Sequence, residues 1–391
     1  DAPSDTLTPV LALEVVDWSA WLTWGFQVMP IFFIVGGYSN AISLVGARKK
    51  NQNYAQWLTG RLQRLLTPLI ALVVFWAALA TGLHGLGVPE EQIRFASQTA
   101  LVPTWFLAIY TMIVMLAPLS LRFWNRWGYR SLAVYLGAAI VADLAFFLLD
   151  WTWLGWTNYF WVWLAMHHLG FAWHDNRLGT PGKLLGIALL AFTTLLALIC
   201  LGPYPIAMAG SPGDGVSNTL TPKITLIALG IFQFGVLLAA EKPARRALAN
   251  LRLWTATVLV NSMIMTVYLW HMTVLVAVMA ALYLLDGFGF GLTVGATEWW
   301  LTRPLWLGAL ASLLLPLALL LSPLERVSFS AGKNPPGAVR LIAGAMAAGL
   351  GIALVSLLGL NGDVGELSNS GIVALMLFGA LASGISPRRL A

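Results

Sequence analysis

The sequence contains a single cysteine, Cys200, and few charged residues, since Lys, Arg, Asp and Glu together make up only 10% of its 391 residues. One cysteine excludes an intrachain disulfide and any metal cluster held by cysteines. The sequence also lacks a phosphate-binding glycine loop, a His-Glu-x-x-His zinc motif and a Gly-x-Ser-x-Gly nucleophile motif. We therefore expect neither a metal site nor a tightly bound cofactor.

Hydrophobic residues are in excess: they make up 59% of the sequence, and the mean hydropathy is +0.79. Such a composition is typical of an integral membrane protein. The apolar residues form segments, most of which approach the ~20 residues that cross a hydrocarbon core of ~30 Å. We predict an all-α fold, a polytopic transmembrane helix bundle of about eleven helices. The predicted segments are 22–45, 65–83, 104–121, 131–149, 157–174, 184–202, 222–240, 254–285, 304–322, 338–360 and 371–384.

The distribution of positive charge predicts the orientation in the membrane. Nineteen of the 22 lysines and arginines fall in one set of alternate loops, and only Arg94, Lys223 and Arg303 fall in the other set. By the positive-inside rule the first set is cytoplasmic, which places the C-terminus inside and residue 1 outside. A cytoplasmic start then requires a further N-terminal helix before residue 1, and we expect one. The net charge of +6 thus reflects orientation, not affinity for nucleic acid.

Ionisable residues inside the predicted spans are candidates for chemistry. His271 lies near the middle of the 254–285 segment, where it either acts in a site or bonds a neighbouring helix. His167 and His168 are adjacent, so on a helix they point about 100° apart. One of them can line a site, while the other faces lipid headgroups or a partner helix. Asp143 is expected to pair with another group within the bundle.

The stretch from Gln27 to Pro68 carries a packing signal and a charge signal. Its glycine pair, Gly36 and Gly37, allows another backbone to approach closely within the bilayer. Arg61 and Arg64 are expected at the start of a helix, after a basic loop that holds Lys49. Being three residues apart, they share one face of that helix, which is expected to point into the bundle. They fit either a cationic anchor at the membrane surface or a clamp that binds phosphates through bidentate guanidinium bonds.

Four short stretches, in this order along the chain, match motifs of one family of membrane enzymes. Phe32-Phe33-Ile34-Val35-Gly36-Gly37-Tyr38 resembles a Phe-Phe-x-x-Ser-Gly-Phe run, and Arg61 to Pro68 resembles an Arg-x-x-Arg-x-x-Pro stretch with one extra residue before the proline. Trp105-Phe106-Leu107 is similar to a Trp-Phe-Leu helix start, and Tyr268-Leu269-Trp270-His271 to a Tyr-Leu-x-His motif. The family is acyltransferase 3, a family of bacterial integral membrane acyltransferases, and Gly202-Pro203-Tyr204-Pro205 is similar to its actinobacterial branch.

The resemblance covers about residues 22–322 and implies three parts of the chain. Residues 1–21 are an extracytoplasmic N-terminal segment, residues 22–322 are the acyltransferase transmembrane core, and residues 323–391 add a C-terminal helix pair. The first helix of the family carries an arginine and the histidine regarded as catalytic. No residue of this sequence matches those two.

The resemblance implies transfer of an acyl group, acetyl or another short acyl, from cytoplasmic acyl-CoA to a hydroxyl of an extracytoplasmic sugar or glycolipid. Acyl-CoA is then a co-substrate, and the location is the plasma membrane of a bacterial cell. The residues expected to act are the catalytic His271 and His167, the acyl-CoA-binding Arg61 and Arg64, and the site-lining Ser39, Asn40, Asn261, Tyr268 and Trp105. The thioester is expected to reach a buried polar centre lined by Ser39, Asn40, Asn261 and His271. The alternative is a transporter or flippase for a lipid-linked saccharide, although the sequence shows no clear internal repeat.

Overall fold

The computed structural model describes residues 12–210, 215–285, 291–323, 335–363 and 367–385, and these residues form helices joined by turns and irregular segments, with no strand among them. The predicted all-α fold is therefore confirmed. The long helices, numbered here in chain order, are α1 (Met29–Lys49), α2 (Tyr54–Gly85), α3 (Glu90–Leu101), α4 (Trp105–Trp127), α5 (Tyr129–Leu148), α6 (Asn158–His174), α7 (Pro181–Leu201), α8 (Ile224–Ala239), α9 (Glu241–Ala247), α10 (Leu251–Asn261), α11 (Ile264–Leu284), α12 (Thr297–Leu321), α13 (Ala338–Leu358) and α14 (Leu367–Ala382). The short elements are Ala12–Val15, Asp17–Leu22, Thr23–Phe26, Val102–Thr104 and Thr152–Gly155.

Each of the eleven predicted segments falls on a long helix. Within the described residues, eight helical stretches are long and apolar enough to cross a membrane, or nine if the bent pair α8 and α9 is one span. The remaining two predicted segments correspond to α6, with 17 residues, and α14, with 16 residues. The chain is thus a multi-pass membrane protein, as predicted.

Two helix boundaries differ from the prediction. The 254–285 segment, expected as one long helix, is two helices, because the chain breaks between α10 and α11 at Ser262 and Met263. The second predicted segment, 65–83, is much shorter than α2, which begins at Tyr54 behind a capping box formed by Asn53 and Gln56. At 32 residues, α2 is about 48 Å long and extends well beyond a hydrocarbon core of about 30 Å.

The chain folds into two compact units, each assembled from separate stretches of sequence. The first unit draws its described residues from 1–41, 120–245 and 290–304, and it contains α5 to α8. The second unit draws on 42–119, 246–289 and 305–391, and it contains α2, α3, α10, α11, α13 and α14.

The first unit is organised by a close crossing of α1 and α6. A Cβ atom added at Gly37 would overlap the carbonyl oxygen of His167, and one added at Gly170 would overlap the carbonyl oxygen of Ile34. The backbones therefore touch, as the glycine pair predicted. Next to the crossing, the rings of Phe33 and Trp163 stack with centroids 4.4 Å apart.

In the second unit, α11 packs against α2 and α3. Trp76 of α2 donates through Nε1 to Thr273 Oγ1 at 3.0 Å, and Tyr268 donates its hydroxyl to the Pro103 carbonyl at 2.8 Å. The C-terminal pair α13 and α14 packs together tightly and also contacts α2. These contacts fix the orientation of α11, the helix that carries His271.

The crossing predicts the effect of a single methyl group. Gly37→Ala must displace the α6 backbone, which we expect to cost at least about 1–3 kcal/mol, as overpacking does in other cores. The matched control is Gly46→Ala on the same helix, where an added Cβ meets nothing within 4 Å and alanine is the better helix former. Thermal unfolding of the detergent-purified variants should show a lower midpoint for Gly37→Ala only. Equal midpoints would contradict the crossing.

Candidate active site

His167 lies at the α1–α6 crossing and is fully buried. The Asn40 side-chain amide donates to its Nε2 over 3.0 Å, because an amide nitrogen can only donate. Nε2 is therefore the accepting nitrogen of a neutral ring, and its lone pair is already in use. The predicted lining residue Asn40 thus contacts the predicted catalytic His167, and the predicted lining residue Ser39 belongs to the same first unit.

His168 is also fully buried, so it does not face lipid headgroups. Of the two predicted alternatives, the contact with partner helices is the one observed. Ser120 of α4 bonds Nδ1 at 3.0 Å, and Ser131 of α5 bonds Nε2 at 2.9 Å. Tyr135 packs its ring edge-on at 4.8 Å, so His168 is enclosed by hydroxyls and aromatic rings. This residue joins three helices and offers no nitrogen to a substrate.

Asp143 pairs within the bundle, as predicted, and its partner is Lys223. The Lys223 ammonium lies 3.9 Å from Oδ1 of Asp143, with both side chains almost completely buried. The carboxylate also accepts from Asn158 Nδ2 at 2.8 Å, from the Tyr204 hydroxyl at 3.2 Å and from the Ile224 amide at 2.9 Å. The cluster therefore joins α5, α6, the segment before α8 and the start of α8.

The role of Lys223 was missed by the sequence reasoning. The ammonium donates to Thr221 Oγ1 at 2.6 Å and lies 3.6 Å from the centroid of the Phe146 ring. The available signal was its position: Lys223 was one of only three basic residues on the sparse side of the charge distribution, and it directly precedes an apolar helix. Burial of Tyr204, together with the neighbouring Asp143 carboxylate, raises the pKa of that phenol, so it stays protonated and donates.

Asp175 follows the C-terminal end of α6. It accepts from the Trp124 indole at 2.8 Å and from His174 Nδ1 at 3.0 Å. Burial alone would raise the pKa of this carboxyl, but these hydrogen bonds and the nearby Arg177 charge hold the pKa below its ordinary value. Asp175 therefore stays ionised at the C-terminal end of α6, the helix that carries His167 and His168.

His271 lies in the third turn of α11, and its side chain is partly exposed. Its Nδ1 is 2.7 Å from the backbone carbonyl of Tyr268, which can only accept, so the proton is on Nδ1. A neutral ring then has its lone pair on Nε2. The hydrogen bond also sets the ring orientation, because Tyr268 is held in turn by Pro103.

Trp105 and Tyr268, two of the predicted lining residues, lie near each other in the second unit through Phe106. Phe106 contacts Trp105 at a centroid distance of 6.5 Å and Tyr268 at 5.8 Å, both edge-on. The Tyr268 ring lies 6.1 Å from that of His271. Tyr268 and His271 are therefore in direct contact, and Trp105 is linked to Tyr268 only through Phe106.

Asn261 does not fit its expected surroundings. It was expected in a buried polar centre with His271, but it is exposed at the C-terminal end of α10, before the break that separates α10 from α11. The prediction placed Asn261 and His271 on one continuous helix, which would have fixed their positions relative to each other. Its role as a lining residue stays a prediction, without the burial that motivated it.

Arg61 and Arg64 lie inside α2, in its third and fourth turns, not at a helix start as expected. Arg61 is partly buried, whereas Arg64 is exposed and does not point into the packed core. Lys49 also differs from expectation, because it ends α1 and is not in a loop. The two arginines share one face of α2, at the part of this long helix that precedes the predicted 65–83 span.

The comparison with family models matches residues 3–323 to the acyltransferase domain family Acyl_transf_3. The chain belongs to the acyltransferase 3 family. No match was found among curated proteins or among solved structures. Membership confirms the resemblance and identifies the chain as a membrane acyltransferase, while the branch within the family stays a prediction.

The family match includes the whole predicted core of 22–322 and reaches into the predicted N-terminal segment of 1–21. Helices α13 and α14 lie beyond it. The acyltransferase domain therefore contains all the predicted site residues. His167, Ser39 and Asn40 belong to the first unit, and His271, Tyr268, Trp105, Asn261, Arg61 and Arg64 belong to the second. Their roles in the site stay predictions.

The buried ion pair predicts a large difference in folding stability between a variant that loses one charge and a variant that loses both. Lys223→Met leaves the Asp143 carboxylate buried without its cation, which we expect to cost about 3–5 kcal/mol. Asp143→Asn combined with Lys223→Met removes both charges and keeps an amide near Asn158 and Tyr204, so the loss should be much smaller. Thermal unfolding of both variants measures the difference. A single variant no less stable than the double would show that the pair carries no charge-charge coupling.

Proposed function

We propose that this protein transfers a short acyl group from cytoplasmic acyl-CoA to a hydroxyl of an extracytoplasmic sugar or glycolipid at a bacterial plasma membrane. Family membership supplies the acyl-transfer chemistry. The observation that carries the proposal is the hydrogen bond from His271 Nδ1 to the Tyr268 carbonyl. It leaves Nε2 as a base in a helix that contains no Asp, Glu, Lys or Arg.

In the proposed reaction, His271 Nε2 removes the proton of the acceptor hydroxyl while the hydroxyl oxygen attacks the thioester carbonyl. The tetrahedral intermediate then collapses, the carbon–sulfur bond breaks, and the imidazolium returns its proton to the leaving thiolate. The products are the acyl ester and free CoA, with no net change in protons. The Tyr268 carbonyl accepts from Nδ1 throughout and stabilises the imidazolium, a role that an orienting acceptor has in other histidine-dependent enzymes.

His167 is the second candidate base, but its Nε2 lone pair accepts from Asn40. It can take a substrate proton only if that hydrogen bond breaks first. We therefore assign the base to His271 and assign His167 to holding the α1–α6 crossing together with Asn40. His167 then has a structural role within the first unit and no part in the proton transfer.

Arg61 and Arg64 are proposed to bind the phosphates of acyl-CoA. Both lie on the part of α2 that precedes the hydrocarbon-spanning stretch, and Arg64 is exposed to a ligand. Guanidinium groups bind phosphate through paired hydrogen bonds, which a lysine cannot reproduce. The proposed topology places these arginines and the C-terminus on the cytoplasmic side, where acyl-CoA is found.

The phosphate role predicts unequal effects of two single-charge deletions. Arg64→Ala should weaken acyl-CoA binding by about tenfold or more, since a charge-assisted hydrogen bond contributes about 1.5–3 kcal/mol. Lys49→Ala removes one exposed cation at the end of α1 and should have little effect. Titration of the purified variants with acetyl-CoA, followed by calorimetry, measures both. Equal affinities would indicate that Arg64 is only an anchor at the membrane surface.

The base assignment predicts a loss of turnover without loss of fold. His271→Asn retains an amide donor for the Tyr268 carbonyl but has no basic nitrogen. We expect its rate of acyl transfer to fall by about 10²–10⁴-fold, the usual contribution of a general base. The assay follows release of the CoA thiol by purified full-length protein with acetyl-CoA and a bacterial glycolipid extract. Thermal unfolding and acetyl-CoA affinity should remain close to those of the unmodified protein.

Two results would contradict this function. Near-full turnover by His271→Asn, or by His271→Gln, would exclude proton transfer by this residue. Absence of acceptor-dependent thiol release from the unmodified protein, combined with movement of a lipid-linked saccharide across vesicles, would favour the transporter alternative. The two results can be told apart. The first compares a His271 variant with an unmodified protein that is active, whereas the second is seen with the unmodified protein itself.

A further inference from the structure

The C-terminal pair α13 and α14 forms a closely packed hairpin. A Cβ added at Gly344 would lie 2.8 Å from the Gly379 carbonyl oxygen, and one added at Gly351 would lie 2.8 Å from the Met376 backbone. The two helices therefore touch through their backbones over several turns. This hairpin lies beyond the residues matched to the acyltransferase family.

One end of the hairpin, the turn at 359–363 and the end of α13 before it, is held against α3 and α2 within the second unit. The Ser97 hydroxyl donates to the Leu360 carbonyl at 2.8 Å and accepts from the Leu360 amide at 2.7 Å. Gln98 donates to the Leu357 carbonyl at 2.6 Å. Gly362, with φ of +85°, lies so close to the Ala80 carbonyl that no other residue would fit there.

The opposite end of the hairpin meets a face of α2 whose polar groups are not satisfied. Thr59, Gln63 and Thr67 are spaced one turn apart along one face of the helix. Thr59 and Gln63 lie against Gly384, since Gln63 Nε2 donates to the Gly384 carbonyl at 3.2 Å. Among the residues that the structure describes, none bonds Thr59 Oγ1, Gln63 Oε1 or Thr67 Oγ1, and all three atoms are buried.

The two ends of the hairpin differ in how strongly they are held against α2 and α3. A buried polar atom without a partner is destabilising, and the described residues offer none to these three atoms, so the three atoms oppose burial of this face of α2. The pinned end carries no such cost, because Ser97 and Gln98 are bonded. Closure is therefore weakly favoured at the Gly384 end and strongly favoured at the 359–363 turn.

We propose that the C-terminal hairpin is a hinged flap. It pivots about the 359–363 turn and separates from α2 at the end where Thr59 and Gln63 lie, so that water and hydrophilic solutes reach these side chains. An open surface groove of about 560 Å³ already lies at that end, between residues 53–56 at the start of α2 and residues 335–338 at the start of α13. The flap opens next to the helix that carries Arg61 and Arg64, but on a different face of it.

The test uses single cysteines, because the chain has only Cys200 to remove. In a Cys200→Ser protein, Thr59→Cys and Gln63→Cys probe the opening end, and Ala80→Cys is the matched control at the pinned end of the same helix. All three positions are buried, at 2%, 5% and 1% exposure. The probe is a sulfonate-bearing methanethiosulfonate, which reacts with thiolates in water and does not enter apolar packing.

We expect Thr59→Cys and Gln63→Cys to be modified at least about tenfold faster than Ala80→Cys, as local opening at one end requires. Adding Thr59→Val and Thr67→Val to Gln63→Cys should slow the modification, because the unsatisfied hydroxyls are gone. Equal, slow rates at the three positions would overturn the flap. If the two valine substitutions leave the modification rate at Gln63→Cys unchanged, the unsatisfied polar groups are not the cause of the opening. Neither measurement depends on acyl transfer.

Discussion

The α1–α6 crossing at Gly37 and Gly170 is the contact from which the first unit is built. In a bilayer, helices gain little from burying apolar surface against each other, because lipid is equally apolar. Close backbone contact and a few hydrogen bonds must hold them together. The absence of two Cβ atoms allows the contact, and the contact brings Asn40 within 3.0 Å of His167. The orientation of α6 then presents His168 to α4 and α5.

Buried polar groups in this protein differ in whether their hydrogen-bonding capacity is fully used. In the first unit, Asp143 and His168 have hydrogen-bond partners on every side, which makes these clusters rigid and unsuitable for reacting with a substrate. In the second unit, His271 keeps one ring nitrogen as an acceptor, and no described residue bonds Thr59 Oγ1 or Gln63 Oε1. The first unit also has such atoms among its described residues, at Asn158 Oδ1 and Gln233 Oε1. Chemistry and movement are expected where polar groups have remaining capacity, since satisfied groups resist both.

Much of the fold was predictable because membrane insertion imposes a simple rule on composition. A helix is the segment that satisfies its own backbone in lipid, so each of the eleven apolar stretches became helical. The rule says nothing about local breaks. The break at Ser262 and Met263 occurs within apolar sequence. Asn261, which was expected to be buried, lies next to this break and is exposed. Likewise, α2 begins at Tyr54 because Asn53 and Gln56 cap it, a signal outside the apolar run.

The sequence by itself determined the class of the protein, its helical segments, the glycine contact and the family, since each depends on composition or on a short contiguous motif. Only the tertiary structure decided the partners of the ionisable residues. Lys223 reaches Asp143 across 80 positions of sequence, and Ser120 and Ser131 enclose His168 from two other helices. Such pairings depend on how helices rotate and cross, and side-chain periodicity along one helix carries no information about which residues of another helix it will face.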